Sequence, residues 1–173
     1  MISIIAGKYK GRKLTQVPDT FIRPTQAKVR KSVFQILEPF QGLKILDLYA
    51  GVGTLGIEAL SRGAEKVVFV ENNRRVFKAL EKNAGFFKGE KIKLHLTDVE
   101  LFLTRNMENY DIIFADPPYA KVNYSDLKIK VADKLIRGGI FCMEMKRETL
   151  NDENIRIKNY GSTQVVFWQR AEA

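Results

Sequence analysis

The residues whose types are best suited to chemistry are Asp116, Pro117, Pro118 and Tyr119, which directly follow an apolar run at 112–115. A residue before a proline is held out of the α region, and neither proline carries an N–H group. The backbone here therefore presents carbonyl oxygens beside the carboxylate of Asp116, while Tyr119 offers a flat aromatic face. This combination suits a planar ligand with an amino group, such as a nucleobase. A plain turn at the end of a strand is the alternative.

A glycine-rich run is the second group with chemical potential. Gly51, Gly53 and Gly56 match the pattern G-x-G-x-x-G, and Glu71 lies twenty positions after Gly51, at the end of the next apolar run. Glycines allow the backbone to approach a ligand closely, and an acid at the end of the next strand can hold ribose hydroxyls. The spacing predicts a nucleotide-binding turn, which either a nicotinamide dinucleotide or S-adenosylmethionine (SAM) can use.

Further acids favour SAM between these two ligands. Asp47 lies inside the predicted strand before the glycines, which makes the motif richer in acid than a typical dinucleotide fingerprint. Asp98 follows the third predicted strand, where a carboxylate is placed to bond an adenine amino group. The Asp-Pro-Pro-Tyr motif follows the fourth strand, beside the expected topological switch point of an open α/β sheet, where ligands bind.

Positive charge is concentrated at the start of the chain. Residues 1–31 contain eight Lys and Arg residues and one acid, a net charge of +7 out of +9 for the whole chain. A basic block beside a nearly neutral body is typical of polyanion binding, although a solvated basic surface is also common.

The elements that position these residues alternate between strand and helix from Leu43 onward. Apolar runs predict strands at 44–49, 66–71, 91–96, 111–115 and 140–145. The segments between them predict helices at 54–62, at 74–84, from 98, and at 125–137. Two more strands, at 155–158 and 164–168, are close enough to form an antiparallel hairpin. This pattern predicts an α/β fold with a doubly wound, mostly parallel sheet.

The first 42 residues depart from that alternation. Short strands are predicted at 2–5 and 12–15 around a loop at 6–11, and a helix follows whose apolar stripe consists of Val29, Val33, Ile36 and Leu37. We expect residues 1–42 to form a basic extension that contacts a nucleic acid, and residues 43–173 to form the core of the same domain.

The composition indicates a globular protein of one domain. Hydrophobic residues make up 45% of the chain and charged residues 28%, which is ordinary for this class. Cys142 is the one cysteine, which excludes an internal disulfide and a cysteine-rich metal site. No apolar run reaches the roughly 18 residues of a membrane span, and the N-terminal apolar segment is too short for a secretion signal. A reducing, cytoplasmic setting is therefore expected.

Together these motifs resemble the class I SAM-dependent methyltransferases, and specifically the bacterial 16S ribosomal RNA guanine-N2 methyltransferase family, often called RsmD. The similarity extends nearly from end to end. It is carried by the segments Gly7-Lys8-Tyr9-Lys10-Gly11-Arg12, Arg23-Pro24-Thr25, Asp47-Leu48-Tyr49-Ala50-Gly51, Leu55-Gly56-Ile57-Glu58-Ala59-Leu60-Ser61-Arg62-Gly63-Ala64, Val68-Phe69-Val70-Glu71, Asp116-Pro117-Pro118-Tyr119 and Tyr160-Gly161-Ser162-Thr163.

The resemblance implies a seven-stranded, Rossmann-like sheet with an antiparallel last strand, and SAM as the methyl donor. The catalytic residues that hold the target guanine would be Asp116, Pro117, Pro118 and Tyr119. The residues around the cofactor would be Asp47, Tyr49, Gly51, Gly53, Glu71, Asn72, Asp98 and Val99. The residues that bind RNA would be Lys8, Tyr9, Lys10, Arg12, Arg23, Lys28 and Lys31.

The expected partner is ribosomal RNA, either free or within an assembling 30S subunit, and the protein is expected to act as a monomer without a metal or a membrane. Deleting residues 1–15 is expected to weaken RNA binding more than SAM binding. An amino-methyltransferase of another RNA, or of adenine or cytosine in DNA, would carry the same motif. A nicotinamide-dependent oxidoreductase would leave Asp-Pro-Pro-Tyr and the basic start unexplained, and a non-enzymatic RNA-binding protein would need no SAM pocket.

Overall fold

Helices and strands alternate along the chain in a computed structural model that describes residues 1–18, 26–118 and 121–172. In chain order these elements are α1 (Ala27–Leu37), β1 (Lys44–Leu48), α2 (Thr54–Ser61), β2 (Lys66–Glu71), α3 (Arg74–Ala84), β3 (Lys91–Leu96), α4 (Val99–Arg105), β4 (Tyr110–Ala115), α5 (Tyr124–Ala132), β5 (Leu135–Lys146), β6 (Ile155–Tyr160) and β7 (Thr163–Gln169).

The strands form one seven-stranded sheet in the order β3-β2-β1-β4-β5-β7-β6. Strands β1 to β5 run parallel to one another, and β7 lies antiparallel between β5 and β6. The fold predicted from the sequence is therefore confirmed. The strand order reverses between β1 and β4, so the segments that follow these two strands border the switch point where open α/β sheets bind ligands.

Helices cover both faces of the sheet, which explains why the central strands are apolar on both sides. In β1, every residue after Lys44 is buried. On one face, α1, α2 and α3 contribute to a core that includes Phe34, Leu60 and Leu80. On the other face, α4 and α5 contribute to a second core that includes Phe102 and Leu127.

The N-terminal segment packs into the first of these cores. Ile2, Ile4 and Leu14 are buried there together with residues of α1 and α2. Antiparallel pairing is limited to one bridge, between Ser3 and Lys13, so the prediction of two regular strands is wrong in extent. The pairing stops because the next backbone N–H groups, at 5 and 6, donate to a side chain of α2 and not across the hairpin.

The predicted helix at 125–137 is too long at its C-terminal end. The helix ends at Ala132, and β5 already begins at Leu135, which pairs with Tyr110 and is fully buried. The register between β4 and β5 shifts after this first pair, because extra residues of β5 lie between Leu135 and Ile140, which pairs with Ile112. Burial of Leu135 in the sheet therefore outweighs the helical pattern of the residues before it.

Candidate active site at the carboxyl edge of the sheet

The segments that follow four parallel strands meet at one edge of the sheet. Leu48, at the end of β1, pairs with Val70 on one side and with Ala115 on the other. The turn after β1 therefore lies between Glu71 and Asp116. The N–H of Thr97 donates to the carbonyl of Glu71 at 3.1 Å, which brings the segment after β3 to the same edge. This edge is called the site edge below.

A buried carboxylate, that of Glu71, joins the glycine turn to the end of β2 by hydrogen bonds. Gly51 and Gly53 adopt φ values of 59° and 95°, in the left-handed region that glycine enters without steric cost. Oε2 of Glu71 accepts from the N–H of Gly51 at 2.8 Å, and its Oε1 accepts from the N–H groups of Asn72 and Asn73 at 3.1 and 3.0 Å. A carboxylate has about four acceptor positions, so Glu71 retains roughly one for a ligand hydroxyl.

Asp47 lies beneath the turn. It is only 1% exposed, and its Oδ2 accepts from the N–H of Gly56 at 2.9 Å in the first turn of α2. Burial raises the pKa of Asp47 well above its ordinary value, and the charges of Asp116 and Glu71 add to this effect. The structure thus places this predicted cofactor residue where it supports the glycine turn and has almost no surface for a ligand.

Asp98 and Tyr49 lie together on the other side of the turn. Oδ1 of Asp98 caps α4 by accepting from the N–H groups of residues 100 and 101, and Val99 is buried behind it. Burial raises the pKa of Tyr49 to about 12, with smaller contributions from the charges of Asp98 and Glu100. Asp98 and Asn72 are both exposed at this edge, so their polar atoms are accessible to a ligand.

Asp116 and the two prolines close the site edge beside β5. Asp116 is half-buried, Pro117 is buried and Pro118 is exposed, whereas Tyr119 lies outside the described residues. Burial, and then the charges of Glu144 and Asp116, raise the pKa of the Cys142 thiol. Asp116 is therefore close to both Asp47 and β5.

Two residues near this edge were given no role from the sequence. Glu144 lies half-buried in β5 and lines a small cavity with Ala115, and its signal was an acid inside an apolar strand. Asn83 is fully buried on α3, and its Nδ2 donates to the carbonyls of Val52 and Thr15 at 2.9 and 3.0 Å. Its signal was a polar residue on the apolar face of an amphipathic helix.

The predicted RNA-binding residues of the hairpin lie at the opposite edge. Lys8 forms an ion pair with Glu90, and the Tyr9 hydroxyl donates to the same carboxylate at 2.6 Å, which raises the pKa of Tyr9. Arg12 lies over the ring of Phe86 at 4.1 Å. Residues 86 to 90 precede β3, so the hairpin tip, residues 7–12, lies at the amino edge of the sheet. Lys10 is exposed at this tip.

The remaining predicted RNA-binding residues divide into two groups. Lys28 and Lys31 are exposed on α1, the helix whose Val29 and Val33 line the small cavity beside Ala115. These two cations lie on the solvent-exposed side of the same helix, whereas Arg23 lies outside the described residues. Arg30, which contributes to the basic block, is only 3% exposed and donates to the carbonyl of Ser3 at 3.1 Å.

Other kinds of site are not evident within residues 1–18, 26–118 and 121–172. No group of three His, Cys, Asp or Glu side chains there could hold a metal ion. None of the helices described is long and apolar enough to cross a membrane. A groove of about 390 Å³ between α4 and α5 contains none of the residues predicted for the active site.

Sequence comparisons find one family model and named relatives that align with most of the chain. The model of the family described as "Conserved hypothetical protein 95" matches residues 2–169. "Putative rRNA methyltransferase YlbH" of Bacillus subtilis is 33% identical over 180 aligned positions, which cover 96% of this chain and 98% of that protein. "Ribosomal RNA small subunit methyltransferase D" of Haemophilus influenzae is 38% identical over 124 positions, which cover 68% of this chain and 64% of that protein.

Two solved structures share the fold of this chain. "Putative methyltransferase yhhF" from Escherichia coli superposes with a TM-score of 0.89 at 31% identity and covers 99% of both chains. A Thermus thermophilus 16S rRNA N2 methyltransferase, RsmC, in complex with AdoMet and guanosine gives a TM-score of 0.67 at 22% identity, covering 88% of this chain and 44% of that one. At that identity the second likeness concerns the fold alone.

Proposed function

The chain belongs to the conserved hypothetical protein 95 family, which includes the ribosomal RNA small subunit methyltransferase D enzymes, and on this premise we propose that it methylates the exocyclic N2 of a guanine in 16S ribosomal RNA with SAM as donor. The observation that carries the proposal is the meeting of a glycine turn and an Asp-Pro-Pro segment after two adjacent strands, β1 and β4, at the switch point. The glycine turn is suited to bind the methyl donor, and the Asp-Pro-Pro segment is suited to bind a base.

The charges at the site edge fit SAM better than a dinucleotide. The carboxylates of Glu71, Asp98 and Asp116 all lie at this edge. Such a concentration of acids favours a cationic sulfonium group and disfavours a pyrophosphate anion. The remaining acceptor position of Glu71, the exposed oxygen of Asp98 and the amide of Asn72 are the groups that would hold ribose hydroxyls and the adenine amino group.

The Asp-Pro-Pro segment would orient the acceptor nitrogen. When bound, SAM supplies an electrophilic methyl group. The guanine amino group is a weak nucleophile because its lone pair is delocalised into the ring. An oxygen of Asp116 and the carbonyl of Pro117 would accept its two hydrogens and favour a pyramidal nitrogen, so that catalysis depends on positioning and charge. The nitrogen would gain a bond to the methyl carbon as the bond from that carbon to the sulfonium sulfur breaks and leaves a neutral thioether. It would lose one proton, which Asp116 takes directly or water takes afterwards.

Base access and base stacking complete the proposal. A paired guanine must be unstacked before it can enter this site. Tyr119 would then hold the base by stacking, which contributes about 1–3 kcal/mol in single-strand binding proteins. In this proposal residues 1–42 form an extension that contacts RNA, and residues 43–173 form the core that binds SAM and the base.

The sharpest test of the chemistry is Asp116→Ala. We expect this variant to lose methyl transfer to small-subunit ribosomal RNA, while its affinity for SAM in a calorimetric titration stays nearly intact because Glu71 and Asp98 remain. Asp126→Ala removes an exposed carboxylate of α5 and is the matched control, which should retain both properties. Near-normal turnover of Asp116→Ala would show that Asp116 has no part in catalysis.

The substrate is tested separately, by mapping N2-methylguanine in small-subunit ribosomal RNA from cells with and without this protein. One guanine should lose its methyl group when the protein is absent, and an unchanged map would contradict the proposed substrate. We further propose a monomeric, cytoplasmic enzyme that acts on 16S RNA, either free or within an assembling 30S subunit. Methylation of deproteinised RNA and of purified particles, compared at equal concentration, distinguishes these two substrates.

A further inference from the structure

The outward face of α3 is strongly basic. Its inward face, which includes Val76 and Leu80, packs in the core, whereas the exposed side chains are Arg74, Arg75, Lys78, Glu81 and Lys82. Four of these five carry positive charge. None of the residues involved was assigned a role from the sequence.

Three of the cations form a regular row. Arg74, Lys78 and Lys82 are four residues apart, so they lie above one another on the same side of the helix. At 1.5 Å per residue the row is about 12 Å long. None of the three forms an ion pair with a carboxylate among the residues that the structure describes. We refer to these residues as the α3 row.

Helix stability can account for Lys82, which lies in the last turn of α3, but not for the cation at the start of the row. The amino end of a helix carries partial positive charge, so cations in the first turn are unfavourable. The first turn of α3 nevertheless contains Arg74 and Arg75 and no acid. The guanidinium of Arg75 donates to the carbonyl of Pro18 at 3.1 Å, which gives Arg75 a structural contact. Arg74 has no such contact among the described residues.

The α3 row connects the two regions that are proposed to contact RNA. Helix α3 starts three residues after Glu71, at the site edge, and ends at Ala84, just before Phe86. Phe86 lies beneath the guanidinium of Arg12 at the hairpin tip. Positive charge therefore continues from the site edge along α3 to the opposite edge of the sheet.

We propose that the α3 row binds the phosphate backbone of the RNA substrate between the active site and the hairpin tip. This inference rests on the proposed function for the identity of the polyanion. A strand in a regular duplex carries a phosphate about every 3.4 Å along the axis. A row of about 12 Å thus faces three or four phosphates, which matches its three cations.

The test is a triple variant, Arg74→Gln, Lys78→Gln and Lys82→Gln, in the full chain. Glutamine is a good helix former, so α3 should persist. The control variant, Arg137→Gln, Arg156→Gln and Lys158→Gln, also removes three exposed positive charges, two of them from β6 at the far end of the sheet. Binding of a labelled small-subunit ribosomal RNA fragment is measured by fluorescence anisotropy between about 50 and 200 mM salt.

We expect the α3 variant to reduce the slope of log affinity against log salt by about 2, and to weaken binding by about tenfold to 100-fold near 0.1 M salt. The control variant should match the wild type, and all three proteins should bind SAM equally. Lys78→Glu alone, in the middle of the row, should reduce the slope by about 1. This single variant keeps the test decisive if the triple variant folds poorly.

Three results would overturn the inference. These are equal salt slopes for the wild type and the α3 variants, an equal loss in the control variant, and tighter binding of duplex DNA of the same length than of RNA. Binding does not depend on which base is methylated. Row-dependent RNA binding without methyl transfer would therefore contradict the proposed function alone, and normal methyl transfer with unchanged slopes would contradict the α3 row alone.

Discussion

Asn83 joins the N-terminal segment to the glycine turn through one side chain. Besides its two donated hydrogen bonds, its Oδ1 accepts from the N–H of Thr15 at 2.7 Å. Its Nδ2 bonds the carbonyl of Val52 inside the turn. Three backbone groups, on two segments far apart in sequence, thus depend on one amide that is fully buried.

We expect Asn83→Ala to reduce the free energy of unfolding by about 3 kcal/mol or more, because each buried polar group left without a partner costs about 1–3 kcal/mol. SAM affinity should fall as well, because the glycine turn loses its contact at Val52. Urea unfolding and calorimetric titration measure the two effects. Glu81→Ala, on the exposed face of the same helix, should change stability by less than about 0.5 kcal/mol, and an equal effect of both variants would contradict this role of Asn83.

Asp47 makes stability depend on pH. In the unfolded chain its carboxyl group ionises near 3.8, whereas burial raises its pKa well above that value in the folded protein. Above pH 3.8 Asp47 therefore holds its proton more fully in the folded state than in the unfolded state. The contribution of Asp47 to the free energy of unfolding falls as pH rises toward its folded pKa. Because Asn does not titrate, Asp47→Asn should gain stability relative to the wild type between acidic and neutral pH.

Urea unfolding of Asp47→Asn and wild type across this pH range tests the effect. The Asn side chain still offers an oxygen to the N–H of Gly56, so the difference between the two proteins reports the charge. Asp133→Asn, which removes an exposed carboxylate, should run parallel to the wild type. A constant difference between Asp47→Asn and wild type would mean that Asp47 does not titrate in this range.

At the residue scale, the sequence predicted where the acids lie better than what they contact. Spacing alone located Glu71 and Asp98 at the ends of their strands, and both reach the site edge. That Glu71 binds three backbone N–H groups, and that Asp98 caps α4, depends on local turn geometry that spacing does not specify. The sequence did not predict a role for the α3 row, because a solvated basic face is common on helices.

At the scale of elements, side chains near the end of α2 hold the N-terminal segment by hydrogen bonds, and this contact region is called the α2 cradle below. The buried carboxylate of Glu58 accepts from the N–H groups of Ile5 and Ala6 at 2.9 and 3.0 Å. Ser61 donates to the carbonyl of Ala6 at 2.6 Å and accepts from the N–H of Tyr9 at 3.0 Å. The run from Leu55 to Ala64, which gives the sequence much of its family resemblance, thus includes the residues that fasten the hairpin.

Gly7 and Gly11 provide a matched pair for testing the α2 cradle. Both have φ of 85°, but a Cβ on Gly7 would lie 1.9 Å from the carbonyl oxygen of Ser61, whereas a Cβ on Gly11 would meet nothing within 4 Å. We expect Gly11→Ala to cost about 1–2 kcal/mol for its left-handed backbone. Gly7→Ala should cost at least about 2 kcal/mol more, because the hairpin must move off α2. Equal losses in urea unfolding would contradict the close contact.

Elements with strong periodicity were predictable, whereas elements fixed by distant contacts were not. The apolar runs of β1, β2 and β4 identified those strands because both of their faces are buried. The end of α5 was misplaced because Leu135 belongs to β5 through its pairing with Tyr110, which is far away in sequence. The strands of the hairpin were predicted too long because two of its N–H groups donate to Glu58, which lies on another element.

For the whole molecule, the hairpin is part of the core as well as a basic surface. Burying Ile2, Ile4 and Leu14 contributes about 1.5–3 kcal/mol for each residue, which together is comparable to the total stability of a typical domain. Deleting residues 1–15 should therefore unfold the protein and abolish SAM and RNA binding alike, in contrast to the selective loss expected from the sequence. Circular dichroism and urea unfolding of the deleted chain provide the measurement.

A single charge substitution separates the surface role of the hairpin from this structural role. Lys10 is exposed, and it forms no ion pair within the described part of the chain. Lys10→Gln should keep the wild-type unfolding curve and SAM affinity, and should reduce the salt slope of RNA binding by about 1. If the deleted chain instead folds and binds SAM normally, the hairpin is not needed for the core.

The rigidity of α3 has a consequence for substrate choice. Its eleven residues fix a span of about 16 Å between the site edge after Glu71 and the segment at Phe86 beneath the hairpin tip. The site edge, the α3 row and the hairpin tip together form a multivalent binding surface on a rigid helix, and its full avidity appears only when the ligand reaches both ends at once. A short oligonucleotide carrying the right guanine would contact the active site alone, whereas folded RNA of matching span would contact both the active site and the hairpin tip. We therefore expect substrate choice to depend on the distance between two contacted parts of the RNA as well as on the identity of one base.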